Sequence, residues 1–210
     1  MFTKENICSL VIVLFHIVGL YGFLDPDLTG FFIKLVPFHL LLMLALLMIS
    51  GYDRSGNFRL FALIVFTAGF LIEVAGVNTG LIFGSYTYGG TLGFKLWETP
   101  LLIGVNWLIL VYSTGVVLST FRLNKYLLAL LGAVILVGID FLIEPVAIRY
   151  DYWSWSGGII PLQNYLGWFI VSFIMFIPFL SLNFKKQNRS AIVFFAAQVC
   201  FFIILNKWGT

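Results

Sequence analysis

Charge is the scarcest thing in this chain. Only 10% of its 210 residues are Asp, Glu, Lys or Arg, against about 25% in a soluble domain. Hydrophobic residues make up 61%, so the bilayer is the solvent and residues 1–210 read as one all-α membrane domain. The net charge of +3 is scattered and leaves no basic patch for a nucleic-acid partner. Cysteine is nearly absent: Cys8 and Cys200 sit in apolar runs, with neither a disulfide framework nor a metal-ligand spacing. His16 and His39 stand alone, so no histidine-cluster metal site is expected. There is also no phosphate-binding Walker loop and no dinucleotide fingerprint.

Apolar length is what the chain has instead. A membrane-spanning helix needs about 20 apolar residues. Seven runs qualify, at 7–24, 31–49, 58–80, 96–120, 126–148, 164–182 and 190–206. The first follows Lys4 but has no small-residue cleavage site before Asp25, so it reads as a retained helix and not a secretory signal. Alternate loops then divide the cations. Lys4, Arg54, Arg59, Arg122, Lys125, Lys185, Lys186 and Arg189 fall on the amino-terminal side; Lys34, Lys95, Arg149 and Lys207 fall on the other. Eight against four predicts a cytoplasmic amino terminus and an outer carboxyl terminus in a multi-pass protein of the plasma membrane.

One unit occurs twice. Phe70-Leu71-Ile72-Glu73 is repeated as Phe141-Leu142-Ile143-Glu144. Tyr86, Tyr88 and Gly89-Gly90 follow the first; Trp153, Trp155 and Gly157-Gly158 follow the second. Pro100 stands seven residues before Trp107, and Pro161 seven before Trp168. The order predicts two repeat units, 58–120 and 126–182, running parallel to one another. Such repeats of hydrophobic segments are a known way to build a membrane binding site. At about 1.5 Å of rise per residue, Glu73, Asp140 and Glu144 all fall in the outer third of a core about 30 Å thick. Asp140 and Glu144 are four apart and share a helix face. Gly69 occupies the matching position in the first copy.

Carboxyls inside a membrane are costly and face a cavity or a partner. Two buried together retain a proton at neutral pH and can serve as a general acid. The plainer reading is helix glue, with Glu73 or Glu144 hydrogen-bonded to Asn78, Asn106 or Asn164. The aromatics divide similarly. Tyr86, Tyr88, Trp97, Trp153 and Trp155 suit an interfacial belt. Yet residues two apart in an extended segment point the same way, so Tyr86/Tyr88 and Trp153/Trp155 can each present two rings to one side. Rings stabilise a cation over their faces. An acid beneath such a box suits a reaction that passes through a carbocation.

With those residues in place, the chain resembles the CruF-type membrane carotenoid hydratases. The first half of the resemblance lies in Glu73, Gly76, Thr79-Gly80, Phe83-Gly84, Tyr86 and Tyr88, followed by Pro100 and Trp107. The second lies in Asp140, Glu144-Pro145, Ala147, Trp153, Trp155, Pro161-Leu162, Asn164 and Gly167-Trp168. It covers about Glu73 to Trp168, nearly half the chain. It implies addition of water across the terminal double bond of a ψ end group, as in lycopene or γ-carotene, giving a tertiary alcohol without a cofactor. Glu73, Asp140 and Glu144 would be catalytic. Tyr86, Tyr88, Trp97, Asn106, Trp107, Trp153, Trp155, Asn164 and Trp168 would bind substrate or stabilise the cation. The partners would be a carotenoid, membrane lipid and other enzymes of carotenoid biosynthesis. A carotenoid cyclase would begin with the same protonation but capture the cation with an internal double bond; the extra carboxyl of Asp140 favours water capture. A small proton-coupled transporter is the alternative from another class, and the few polar residues on the remaining helices argue against it.

Overall fold

The computed structural model describes residues 3–51, 53 and 55–209; Arg54, counted above among the cations, lies outside the described residues. Seven α-helices occupy most of that chain: α1 Lys4–Leu24, α2 Pro26–Gly51, α3 Gly56–Thr79, α4 Leu102–Leu118, α5 Lys125–Arg149, α6 Leu162–Ser181 and α7 Arg189–Trp208. All but α4 are long and apolar enough to cross a membrane, so the chain is a multi-pass, all-helical membrane protein. Local chemistry sets the boundaries. Thr3, Ser55, Asn124 and Asn188 cap α1, α3, α5 and α7 by accepting a backbone N–H with their side chains, the usual work of these residue types. Only Asp25 separates α1 from α2, and Pro26 opens α2, where its missing N–H is not needed. Gly80 closes α3 in the left-handed region, at φ 66°, which glycine adopts without strain.

The fourth run behaves differently from its sequence pattern. Residues 96–120 were expected to form one helix, but Lys95–Leu96 (β2) pairs back on Thr99–Pro100 (β3) as a short hairpin. Trp97 and Glu98 make its turn, at φ 52° and 62°. Pro100 explains this: it keeps the preceding residue out of the helical region, so α4 starts only after it. The helix that remains has 17 residues, 14 of them buried. A helix apolar all round belongs inside, and α4 packs against α2, α3, α5, α6 and α7. Around it α5 pairs with α6, and α1 pairs with both α2 and α7.

Hydrogen bonds identify the two ends of the bundle. At one, the Lys185 amide donates to Asp53, Arg189 to Asn6, and Ser190 Oγ to the Glu5 carbonyl. The Lys185 and Ser55 amides hold the Asp53 carboxyl below its usual range. At the other end, Tyr86–Tyr88 (β1) pairs antiparallel with Trp153–Trp155 (β4), matching Tyr86 with Trp155 and Tyr88 with Trp153. The two aromatic-x-aromatic segments thus form one ribbon. Thr87 and Ser154 face outward, and all four rings face inward and are buried.

Candidate active site

Beneath that ribbon lie the carboxyls. Glu73 near the end of α3 and Glu144 near the end of α5 are both buried, and each accepts three side-chain hydrogen bonds. Tyr86 Oη and Tyr88 Oη both donate to Glu73 Oε2, at 2.6 and 2.7 Å. Trp153 Nε1 and Trp155 Nε1 both donate to Glu144 Oε2, at 3.0 and 2.8 Å. The strand alternation explains why: two residues on one side of a strand reach the same atom below. The other oxygen of each glutamate is held from the following helix. Trp107 Nε1 donates to Glu73 Oε1 at 2.9 Å, and Asn164 Nδ2 donates to Glu144 Oε1 at 3.2 Å.

The second half carries one carboxyl more. Asn164 Nδ2 also donates to Asp140 Oδ2, at 2.7 Å. Asp140 is fully buried, and its Oδ1 has no partner among the described residues. The counterpart position, Gly69, is where α4 approaches α3: a Cβ there would stand 2.7 Å from Trp107 Cβ. The absent side chain lets the Trp107 indole reach Glu73. Trp107 then stacks on Trp168, with ring centroids 4.2 Å apart and planes at 23°, so the two tryptophans of the repeated motif meet.

Glu73 and Glu144 line a common chamber of about 20 Å³, walled by Tyr86, Tyr88, Trp153, Trp155, Asn164 and Trp168 together with Phe83 and Ile103. A buried water needs about 10–15 Å³ of such space and two to four polar partners, so the chamber fits one. Above it Tyr86 and Trp155 lie 5.1 Å apart, and Tyr88 and Trp153 6.0 Å. Outside the membrane-spanning segments, burial and the nearby Glu73 push both tyrosine hydroxyls up, which keeps them as hydrogen-bond donors.

A second cavity, of about 430 Å³, lies between α1, α2, α4, α5 and α7. It shares Ile103 and Trp153 with the chamber. Its size falls among those of small-molecule sites. Phe15 and Val18 of α1, and Phe31, Leu35 and Phe38 of α2, line it and are also exposed on the bundle surface. Its mouth therefore opens sideways, between α1 and α2.

The structure brings together Glu73, Asp140, Glu144, Tyr86, Tyr88, Trp107, Trp153, Trp155, Asn164 and Trp168. Two of the residues singled out in the sequence lie elsewhere. Trp97 is exposed, takes part in the chamber with no atom, and accepts from Asn78 through its backbone carbonyl. Asn106 lines the large cavity and not the chamber. Asp140 is within reach of the chamber only through Asn164. His16 and His39, isolated in sequence, come to 5.1 Å in the large cavity; the short gap between the first two apolar runs was the signal that their helices would lie side by side.

Packed apolar helices around two buried, fully hydrogen-bonded carboxyls define a membrane protein with a buried carboxyl cluster next to a laterally open, mostly apolar cavity. Within that class, the chain belongs to the carotenoid biosynthesis protein family, whose sequence profile matches residues 35–208. It is similar to the bisanhydrobacterioruberin hydratase of Haloarcula japonica, with 30% identity over 190 residues. The match covers 80% of this chain and 62% of that protein, so the chain spans less than two thirds of the relative's length. No solved structure matches it.

Proposed function

We propose that the protein is a hydratase of carotenoids, adding water across the terminal double bond of a ψ end group. The observation that carries this reading is a chamber fit for one water, set between Glu73 and Glu144 and sharing a wall with a larger, mostly apolar cavity of about 430 Å³. The polyene lies in the cavity with its end at Ile103 and Trp153. The carboxyl pair of Asp140 and Glu144 holds one proton, and Glu144, which lines the chamber, delivers it to the less substituted alkene carbon. The π electrons form the new C–H bond and leave a tertiary cation. The rings of Tyr88, Trp153 and Trp155 stabilise that cation. The chamber water adds through oxygen and passes its proton to Glu73. Every atom of the product comes from the alkene and water, so the reaction calls for no cofactor. The hydratase name of the Haloarcula japonica relative supports the same chemistry.

The matching hydrogen-bond pattern around Glu73 and Glu144 supports reading 58–120 and 126–182 as two repeat units. The cation-rich end, with Lys4, Lys185, Lys186 and Arg189, supports a cytoplasmic amino terminus in the plasma membrane. A Thr87→Cys variant should then react with a membrane-impermeant thiol reagent added from outside; reaction only in inverted vesicles would reverse the orientation. Bilayer lipid surrounds the bundle, and neighbouring carotenoid enzymes would supply and take up its ligands.

The test of function is pigment mass in cells that make lycopene or γ-carotene and express the chain. A product heavier by one water is expected. An isomer of unchanged mass would mean cyclisation, and an unchanged pigment would remove the enzymatic reading.

A further inference from the structure

At the ribbon end of the bundle another cavity, of about 500 Å³, lies between α2, the loop after β1 and the end of α5. It shares no lining residue with the chamber or the large cavity. Two hydrogen bonds tie its loop to the end of α5: the Gly90 amide donates to Asp151 Oδ2 at 3.1 Å, and Thr91 Oγ1 donates to the Tyr150 carbonyl at 2.7 Å. A Cβ on Gly93 would stand 3.8 Å from Pro37 Cγ. This stretch of α2 therefore lies level with the loop, at the edge of the membrane and not in its middle. Two cations line the cavity. Lys34, on the turn before Pro37, makes no hydrogen bond among the described residues. Arg149, the last residue of α5, gives one N–H to the Leu205 carbonyl at 3.2 Å; the rest of its fork of donors has no partner among the described residues. Neither cation pairs with a carboxylate among those residues. Asp151 is the carboxylate of the lining, which therefore carries one net positive charge.

Like charges that share a cavity repel, and an anion between them removes the repulsion. At the membrane edge the anion at hand is a lipid phosphate, and basic pockets between membrane helices suit such headgroups. We propose that this cavity binds the headgroup of an anionic phospholipid, with its phosphodiester held by Lys34 and Arg149. The guanidinium fork matches two phosphate oxygens at once. The lysine adds a point charge on a stem that lies along apolar surface. Asp151 accepts a hydrogen bond from a headgroup hydroxyl. A headgroup with one net negative charge cancels the charge of the lining. A choline headgroup instead brings a further positive charge and has no N–H or O–H to give Asp151. The volume is that of a small-molecule site and takes a whole headgroup, with open space beside Gly90 where a side chain would stand. Inorganic phosphate offers the same oxygens without the acyl chains that hold a lipid at this level. The site rests on the membrane character of the chain and is independent of the reaction proposed above.

Native mass spectrometry of the full chain released from detergent tests it. Titration with phosphatidylglycerol, with phosphatidylcholine of the same acyl chains and with inorganic phosphate gives an affinity for each. Phosphatidylglycerol should bind the wild type about fivefold tighter than phosphatidylcholine, the worth of one charge near a membrane surface. Lys34 is exposed, so Lys34→Gln leaves no buried group unpaired; it should weaken phosphatidylglycerol by about the same factor. Lys207→Gln removes a cation from the same end of the bundle but outside the cavity, and should change nothing. Equal affinities of the wild type for the two lipids, a comparison that needs no variant, overturn the proposal. So does a preference that survives in Lys34→Gln, or one lost equally in Lys207→Gln, which would mark a general attraction of the surface for anions. Inorganic phosphate binding as tightly as phosphatidylglycerol would overturn the lipid as the source of the phosphate. None of these outcomes bears on the hydratase reading, which pigment mass tests separately.

Discussion

Donors without acceptors constrain where a proton can sit in the carboxylate cluster. An indole N–H only donates, so Glu144 Oε2, facing Trp153 and Trp155, cannot carry the hydrogen. Asn164 presents its amide nitrogen to Glu144 Oε1 and Asp140 Oδ2. In the mechanism proposed above, that leaves Asp140 Oδ1, buried and without a partner among the described residues, as the free seat for the proton. Asp140 stands behind Asn164, and in the proposed mechanism it serves as the proton store for Glu144. Exchange to Glu73→Gln, Glu144→Gln or Asp140→Asn keeps shape but removes the titrating group. General acid–base help is worth about 10²–10⁴-fold, so each should cut the hydrated-carotenoid yield per folded protein by that order. Near-normal yield in all three would make the carboxyls structural and the mechanism wrong.

At the scale of elements, close approach of α3 and α4 is what lets Trp107 reach Glu73. Gly69→Ala puts a methyl 2.7 Å from Trp107 Cβ, closer than packed carbons come. Overpacking of this kind costs about 1–3 kcal/mol, and the indole should swing from Glu73 and from its stack on Trp168. Thermal unfolding in detergent should show the destabilisation, and hydration should fall well beyond the loss of folded protein. Activity per folded molecule equal to the wild type would mean that the Trp107 bond does no work. The same elements show how far the sequence could be read. The long runs were legible because bilayer thickness alone sets their length. The inward rings of Tyr86, Tyr88, Trp153 and Trp155 were legible from strand alternation. Their pairing into one ribbon was not, because it joins segments more than sixty residues apart. The hairpin at Lys95–Pro100 was hidden by its apolar composition, although Pro100 marked the helix start. The displacement of Trp97 from the chamber follows from that hairpin, whose turn it makes; that of Asn106, and the meeting of His16 and His39, depend on helix rotation, which an all-round apolar pattern does not encode.

At the scale of the molecule, the work is divided between two groups of helices. Helices α3 to α6, with the ribbon, hold the carboxyls and the water-sized chamber. Helices α1, α2 and α7 supply most of the wall of the large cavity and its lateral mouth. If the polyene chain lies in that cavity, blocking it should stop reaction of long substrates while leaving the chemistry intact. Val36 is buried in α2 and lines the cavity away from the carboxyls. Val36→Trp adds an indole to a space of about 430 Å³, and the open volume can take it without the strain of a packed core. Hydration of a full-length polyene should drop at least tenfold, chiefly through KM, because loss of substrate binding that is equal in ground and transition state appears there. A short alkene with the same end group, reaching only to Ile103 and Trp153, should keep most of its rate. The comparison of the two substrates on one variant separates a blocked cavity from a misfolded protein, since misfolding lowers both. Equal, undiminished turnover of the long polyene would show that it reaches Glu73 and Glu144 by a route other than the space between α1 and α2.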